Sequence, residues 1–260
     1  GKAMSLQTIE ITKKDKVAII KLNRPELLNA VNEKLVWDFQ KATEDVKNDD
    51  SVRVVIITGS GRAFSAGADL SEKEASWKGS KDALLRGYKP FFENIINMPK
   101  PVIASIAGPA AGIGAAIAMS CDLRVMSDDS YILSVFSNIA LVPDGGLSWY
   151  LPKFMGFAKA YEYAIEAKKI SAEECLKYGI ANKVVAKDEL KNITLKWAIN
   201  LSKRSSQSLN HTKRLMRESL HIGYWDTFHN EAEIQNELTV SPQNREAVKA
   251  FLEKREPNFD

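Results

Sequence analysis

The sequence predicts an α/β core followed by a helical tail. Compact runs of β-branched and apolar residues alternate with segments of helical periodicity, which is typical of sheets covered by helices. From about residue 171 onward the helical period dominates. A chain of 260 residues, of which 45% are apolar, is long enough to bury one sizeable core. We assign residues 1–197 to the core, with residues 1–3 as a tag remnant, and residues 198–260 to the helical tail.

The first elements follow from their local patterns. Residues 9–23 hold two alternating apolar stretches around "KKDK", which predicts a β-hairpin. Apolar positions at helical spacing from Val31 to Val46 predict a helix. Residues 52–61, "VRVVIITGSG", predict a buried strand that glycines end. The polar and poorly periodic residues 71–84 predict a mobile flap.

Later elements continue the alternation. Residues 88–108 predict a helix, a proline break and a second buried strand, and strands continue through residues 122–133. The helical segments of the last third are 171–180, 190–204, 208–220 and 244–257.

Composition excludes several classes of function. The 36 basic and 33 acidic residues nearly balance, and no basic run is long enough to bind nucleic acid. No apolar run approaches the length of a membrane span. Cys121 and Cys175 lie far apart without a metal-binding motif, so we expect no metal site and a reducing, cytoplasmic setting.

Two stretches of small residues carry the strongest functional signal: residues 64–70, "FSAGADL", and residues 107–122, "AGPAAGIGAAIAMSCD". Each follows a predicted buried strand. Small residues allow a ligand to approach backbone N–H groups, and the first amides of a helix starting at Gly112 would lack internal acceptors. Such amides suit a developing oxyanion. The alternative is that the small residues serve only helix–sheet packing. The glycines do not fit a dinucleotide fingerprint, because Ile117 stands where Gly or Ala is required.

One aspartate stands out in residues 141–146, "LVPDGG". An Asp before two glycines is ordinary turn chemistry, so Asp144 alone predicts no more than a turn. Its role depends on what surrounds it.

Taken together, these stretches resemble the crotonase family, the enoyl-CoA hydratase/isomerase superfamily, over essentially the whole chain. The matching motifs, in order, are "KLNRPELLNAVN", "RAFSAGADL", "KPVIASIAGPAAGIGAAIAMSCDLRV", "LVPDGGLSWYLPKFMGFAKAYEY", "ISAEECLKYGIANKVV" and "AVKAFLEKREPNF". The resemblance implies a spiral of repeated strand–strand–helix (ββα) units. It also implies that the helical tail forms homotrimers, which commonly pair into hexamers. The expected ligand is an acyl-CoA thioester, whose oxygen accepts from the N–H groups of Ala68 and Ile113.

The departures from the family pattern indicate the subfamily. Hydratases of this family use two glutamates, and the matching positions here hold Ala116 and Phe136. Ordinary hydration is therefore not expected. In isomerase branches, which include ring-1,2-epoxyphenylacetyl-CoA isomerase and Δ3-Δ2-enoyl-CoA isomerases, the working carboxylate matches Asp144. Phe136 and Leu141 are expected to raise its pKa by desolvation. The family's dehalogenases need a His and a Trp, which are missing at the matching positions.

Other family positions imply contacts with coenzyme A, which is part of the substrate, and no further cofactor. Phe251 and Lys254 match residues that reach the adenine and phosphates of a neighbouring subunit, or they belong to an amphipathic surface helix. The full set of substrate-binding positions is Arg24, Ala66, Gly67, Ala68, Asp69, Leu70, Gly112, Ile113, Phe136, Phe251 and Lys254.

The remaining candidates have structural interpretations. Asp69 is expected to cap a helix, Asp122 to pair with Arg124, and Cys121 to pack in the core. Four flap aromatics are candidates for the acyl pocket or, for the last two, the core: Trp77, Tyr88, Phe91 and Phe92. The three histidines of the tail receive no catalytic role: His211, His221 and His229.

The sequence thus predicts an acyl-CoA isomerase that uses Asp144, with a shifted double bond or a rearranged ring epoxide as the reaction. The alternatives are a hydratase-like enzyme of other activity and a non-catalytic acyl-CoA-binding protein.

Overall fold

Two β-sheets organise the fold, which a computed structural model describes for residues 4–260. The predicted tag remnant at residues 1–3 lies outside the described residues. The strands are β1 Met4–Ser5, β2 Ile9–Lys14, β3 Val17–Leu22, β4 Val54–Gly59, β5 Val102–Ile106, β6 Pro109–Ala111, β7 Leu123–Ser127, β8 Tyr131–Leu133, β9 Lys169–Ser171 and β10 Lys183–Val185. The seven-stranded sheet has the order β1-β2-β3-β4-β5-β7-β10, and the three-stranded sheet has the order β6-β8-β9.

The large sheet begins with the predicted hairpin and continues in parallel. Strands β2 and β3 pair antiparallel, with Ile11 opposite Ile20. From β3 onward each neighbour is parallel, through β4, β5, β7 and β10. Every residue of β5 is buried, as is typical of a parallel strand covered on both faces. Because parallel strands end at the same edge, the segments after β4 and β5 emerge side by side.

Helices cover both faces of this sheet. They are α1 Glu33–Asn48, α2 Ser80–Asp82, α3 Lys89–Asn97, α4 Ile113–Ser120, α5 Leu147–Met155, α6 Phe157–Ile165, α7 Ala172–Lys177, α8 Leu190–Ser202, α9 Ser206–Glu218, α10 Tyr224–Leu238 and α11 Pro242–Glu253. Short 3-10 turns lie at Pro25–Leu27, Phe136–Ile139 and Lys187–Glu189, and a π-helical turn at Ala83–Tyr88. The α/β class and the alternation of elements are therefore as predicted.

Two hydrophobic clusters mark the two faces. The larger one joins α1 and α3, through residues such as Phe39 and Phe91, to one face of the sheet. The smaller one packs Leu190 and Ala198 of α8 against the other face. Helix α4 is surrounded by protein, since all eight of its residues are buried.

The helical tail contributes little to either cluster. Helices α9 and α10 bury none of their residues, and α11 buries only Ala250. The predicted boundary at residues 197/198 falls inside α8, which is continuous and packs on the sheet. The division into a core and an oligomerisation region stays a prediction.

The predicted flap is irregular up to Gly79 and is attached to α1. The backbone N–H and the hydroxyl of Ser76 both donate to the Glu33 carboxylate. The Trp77 ring lies 5.4 Å from the Trp37 ring, centroid to centroid, and the Arg86 guanidinium lies 4.8 Å from the Trp77 centroid. The mobility of the flap stays a prediction.

Asn29 links the chain after β3 to the loop after β4. Its side-chain amide donates to the carbonyls of Ser60 and Ala63, each at 2.9 Å, and its amide oxygen accepts from the Arg24 N–H at 2.9 Å. The residue is fully buried and has a left-handed φ of 57°, which Asn tolerates better than most residues. Asn29 therefore positions the loop that leads into residues 64–70.

Replacing Asn29 with Ala is expected to lower the free energy of unfolding by about 2–4 kcal/mol, because it leaves buried carbonyls without donors. Urea unfolding measures this change. Asn32→Ala is the matched control, because Asn32 only caps α1 by accepting from the Leu35 N–H at 2.9 Å. That loss should cost about 1 kcal/mol. Equal losses in the two variants would contradict the bridging role of Asn29.

Candidate active site

The two predicted small-residue segments lie side by side. Ser65 and Ala110 form a parallel bridge, and the Ala111 N–H donates to the Ser65 carbonyl at 2.9 Å. A second bridge joins Val31 to Ala68, in which the Val31 N–H donates to the Gly67 carbonyl at 2.7 Å. The first bridge fixes residues 64–70 against the segment that enters α4, and the second fixes them against the segment that enters α1.

The predicted oxyanion donors both have free N–H groups. Neither the Ala68 N–H nor the Ile113 N–H donates to another group within residues 4–260. Ile113 is the first residue of α4, where an amide has no acceptor inside the helix. A Cβ added at Gly112 would lie 3.6 Å from the Gly67 Cα, so the peptides that precede both donors are close together. That both N–H groups donate to one oxyanion stays a prediction.

Gly114 makes this approach possible, a role that was not predicted from the sequence. A Cβ added there would lie 2.5 Å from the Ser65 carbonyl oxygen and 2.7 Å from the Ser65 Cβ. The Ser65 hydroxyl in turn donates to the Asn29 carbonyl at 2.9 Å. Ser65 and Gly114 therefore set the spacing of the two donor segments.

Asp144 lies at the turn that leads into α5, against the start of α4. A Cβ added at the next residue, Gly145, would lie 2.5 Å from the Ala116 Cβ and 3.0 Å from the Ile113 Cδ1. One carboxylate oxygen of Asp144, Oδ1, is buried and has no hydrogen-bond partner in the described part of the chain. Asp144 therefore has an unused acceptor atom, and its catalytic role stays a prediction.

Burial raises the pKa of Asp144 from its ordinary value of 3.8 to about 6, in the predicted direction. Phe136 is buried, as the predicted desolvation requires, whereas Leu141 is 55% exposed. The phenol of Tyr88 is near enough that the Asp144 charge adds to the burial that raises the pKa of Tyr88. Asp144 is thus mostly ionised at neutral pH yet close to the range in which a carboxyl exchanges protons effectively.

Arg24 and Asp69, two predicted CoA contacts, bind each other. Their side chains form an ion pair at 3.1 Å and are largely buried. The prediction that Asp69 caps a helix is wrong, because no helix follows it before Ser80. Asp69 instead accepts from the Ser71 N–H and hydroxyl, which lower its pKa. Leu70, next in the chain, is 77% exposed.

The prediction that Asp122 pairs with Arg124 is also wrong. Asp122 forms ion pairs with Lys213 at 2.8 Å and Arg217 at 2.7 Å, both on α9. Arg124 donates to backbone carbonyls instead, among them that of Cys121 at 2.7 Å. Cys121 is buried, as predicted, and burial raises its thiol pKa to about 12.

The flap aromatics divide between the site and the core. Tyr88 and Phe92 line a cleft with Gly145, whereas Phe91 is fully buried in the core. Trp77 packs over Gly87, where an added Cβ would lie 2.6 Å from the indole ring. Of the three histidines, His221 stacks on Trp149 and lines the same cleft.

Phe251 and Lys254 lie in and directly after the last helix. Phe251 is 81% exposed, and Lys254 ends α11 with a left-handed φ of 55°. Their contact with a neighbouring subunit stays a prediction.

Other site types are not seen in the described part of the chain. Within residues 4–260, we find no group of three or more His, Cys, Asp or Glu side chains that could hold a metal ion. Every helix in the same range is too short or too polar to cross a bilayer.

The comparisons with known proteins agree with this geometry. A sequence model of the enoyl-CoA hydratase/isomerase family matches residues 12–260. The chain belongs to this family. It is 33% identical over 256 residues to a probable enoyl-CoA hydratase from Rhodobacter capsulatus, covering 98% of this chain and 99% of the relative. It is 30% identical to 1,2-epoxyphenylacetyl-CoA isomerase from Escherichia coli, with 94% of each chain covered.

The solved structures confirm the crotonase fold. The crystal structure of an enoyl-CoA hydratase from Polaromonas sp. JS666 matches with a TM-score of 0.90 at 28% identity, covering 96% of this chain and 98% of the other. The relatives in this family include both hydratases and isomerases. Membership of the family therefore does not determine whether the reaction is a hydration or an isomerisation. That distinction depends on the side chains around the predicted donors.

The two positions that match the hydratase glutamates are apolar and buried. Ala116 is fully enclosed, and its Cβ packs against Gly145. The Phe136 ring lies near Gly112, since a Cβ added at Gly112 would lie 3.9 Å from its Cζ. Of the three positions that the family resemblance assigns to catalytic carboxylates, 116, 136 and 144, only Asp144 carries one.

Asp144→Asn is expected to stabilise the fold by about 1–3 kcal/mol near pH 8. Because the folded-state pKa is raised, the wild type loses stability as pH rises from about 4 through about 6, whereas the amide cannot ionise. The gain should disappear near pH 4. Urea unfolding at both pH values measures it, with the exposed Asp128→Asn as the control. A gain that is equal at both pH values would contradict a buried, unpaired carboxylate.

Proposed function

We propose that the protein is an acyl-CoA isomerase that moves a double bond, or rearranges a ring epoxide, next to a CoA thioester. The observation that carries this proposal is the pairing of two free backbone donors with one unpaired carboxylate. Hydration would require a water to be activated and a proton to be placed on the neighbouring carbon. Ala116 and Phe136 supply neither group, whereas a double-bond shift needs a single acid/base.

The proposed reaction begins with the thioester oxygen at the N–H groups of Ala68 and Ile113. The Asp144 carboxylate removes a proton from C2 of a 3-enoyl-CoA, and the electron pair of that C–H bond moves into the dienolate. The two donors stabilise the negative charge on oxygen. The protonated Asp144 then returns its proton at C4, which leaves the conjugated 2-enoyl-CoA. No oxidation state changes overall, so the reaction requires no coenzyme beyond the CoA of the substrate.

The raised pKa of Asp144 supports both half-steps. An ordinary Asp would be a weak base, and its conjugate acid would lose its proton to water rather than to carbon. Burial brings the two protonation states closer in free energy. The absence of a hydrogen bond to Oδ1 leaves that oxygen available to the substrate.

The proposal also covers the oligomeric state of the protein and its cellular compartment. We infer a homotrimer or a pair of trimers in the cytoplasm, without nucleic-acid or membrane partners. The exposed aromatic side chains Tyr224, Trp225 and Phe228 on α10 support a subunit contact, because a cluster of this size is rarely left in water.

The first experiment compares wild type and Asp144→Asn in the conversion of a 3-enoyl-CoA to its 2-enoyl isomer, followed by thioester absorbance. We expect kcat to fall by about 10²–10⁴-fold in the variant while acyl-CoA binding is retained. Wild-type kcat/KM should decline as pH falls through about 6, because the base becomes protonated. Asp128→Asn is the control of matched chemistry.

Three outcomes would contradict parts of the proposal. Strong hydration of 2-enoyl-CoA by wild type would favour a hydratase-like enzyme. Turnover of a ring epoxide alone would exclude the linear double-bond shift. Binding without any turnover, unchanged in Asp144→Asn, would favour a non-catalytic acyl-CoA-binding protein.

A second test addresses the donors. Gly114→Ala should lower kcat by about 10–10³-fold, because the new Cβ pushes α4 away from Ser65 and separates the two N–H groups. Gly223→Ala is the matched control, since a Cβ at Gly223 meets nothing within 4 Å. Equal activity of the two variants would exclude a role for the Ser65–Gly114 contact in the chemistry.

A further inference from the structure

A cleft of about 460 Å³ begins at Gly145 and Gly146, beside Asp144, and extends between α3, α5 and the end of α9. Most of its surface is carbon. Among its lining residues are Leu84, Tyr88, Phe92, Ile96, Trp149 and Leu220. This inference rests on the proposed function. If that function holds, the thioester oxygen stays at the oxyanion donors and the acyl chain extends from there into this cleft.

The size of the cleft indicates the size of the acyl group. A closed apolar cavity of roughly 150 Å³ is enough to hold benzene. The cleft is about three times larger, so a four-carbon acyl group would leave most of it to water. An acyl group with a longer chain or a ring would cover its apolar walls, and each CH₂ that enters should tighten binding roughly fourfold.

A second cleft of about 570 Å³ lies on the other side of one wall. It is also apolar and is lined by residues that include Met119, Leu209 and Met216. Four residues line both clefts and therefore form the wall between them: Trp149, Tyr150, Arg217 and Leu220.

Arg217 is the member of this wall that is held in place by charge. Its Nε and Nη2 donate to the Asp122 carboxylate at 3.1 and 2.7 Å, and Nη2 also donates to the Ser120 carbonyl at 2.8 Å. The Tyr150 phenol lies beside the guanidinium. The Arg217 side chain is 22% exposed, so moving it would break a mostly buried ion pair with Asp122.

Asp122 has a second cation, which makes Arg217 replaceable. Lys213 binds Asp122 at 2.8 Å, and its ammonium also donates to the Ile95 carbonyl at 2.9 Å. The Val102 N–H donates to the same carboxylate. A variant without Arg217 therefore keeps a paired Asp122.

We propose that Arg217 limits the length of the acyl group, because Asp122 fixes it in the wall that ends the acyl cleft. The substrate class is an acyl-CoA with an apolar chain or ring larger than butenoyl, and removing the Arg217 side chain joins the two clefts.

The test uses saturated acyl-CoAs, from butanoyl-CoA to hexadecanoyl-CoA, in titration calorimetry with the whole protein. For wild type, we expect affinity to rise at least about tenfold from butanoyl-CoA to octanoyl-CoA and then to level off. In Arg217→Ala the rise should continue to longer chains, with at least about a tenfold gain for the chain lengths at which wild type shows none.

Lys213→Met is the matched control, because it removes the other cation of Asp122 and does not reach the acyl cleft. It should keep the wild-type chain-length limit. A melting curve with ligand checks that both variants fold. Saturated ligands undergo no double-bond shift, so this result is independent of isomerase activity: binding without turnover would refute the proposed reaction and leave the length limit standing.

Several results would overturn the inference. One is an equal chain-length limit in wild type and Arg217→Ala. Another is the same shift in Lys213→Met. Tighter binding of octanedioyl-CoA than of octanoyl-CoA, lost in Arg217→Ala, would mean that Arg217 recognises a distal carboxylate instead of closing an apolar cleft.

Discussion

The site depends on the close approach of two backbone segments that lie far apart in the sequence. Ser65 packs under Gly114, and Gly67 faces Gly112, at distances that leave no room for a Cβ at Gly114. The parallel sheet delivers both segments to the same edge, and the bridge between Ser65 and Ala110 sets their register. Two N–H groups are left without acceptors as a consequence. Under the proposed function, the thioester oxygen supplies the acceptor that both groups lack.

Asp144 shows the same conflict between stability and chemistry. One oxygen of the Asp144 carboxylate is buried and has no hydrogen-bond partner. The ionised form is therefore less stable here than it would be in water, and the pKa of Asp144 rises. The ion pair between Arg24 and Asp69 behaves in the opposite way. Ser71 and Arg24 lower the pKa of Asp69, which therefore stays ionised and has no proton to exchange at neutral pH. The environment thus shifts the pKa values of these two carboxyl groups in opposite directions, although both stand in short loops.

Local patterns were enough to predict the hairpin, the strands β4, β5, β7 and β8 and most helices, whereas the short strands β1, β6, β9 and β10 were not predicted. The hairpin follows from alternation, and the start of α4 from a run of Gly and Ala. The errors concern partners that are distant in sequence. Asp69 has the local signs of a helix cap, but its partner Arg24 lies 45 residues away. Asp122 pairs with Arg217, 95 residues away, and not with its neighbour Arg124. Periodicity predicts which face of a helix is buried, and it contains no information about which charge will meet that face.

Packing also explains why the carboxylate comes from the turn before α5 and not from α4. The Ala116 Cβ is in contact with the backbone at Gly145, so the turn that carries Asp144 fills the space beside α4. A longer side chain at position 116 would displace that turn and move Asp144 away from the donors. Conversely, Gly145 can approach α4 only because it has no Cβ and adopts a φ of 66°. The small residue at 116 and the acidic residue at 144 are therefore two parts of one packing arrangement. Under the proposed function, this arrangement brings one carboxylate to the substrate, which suits a reaction that moves one proton at a time.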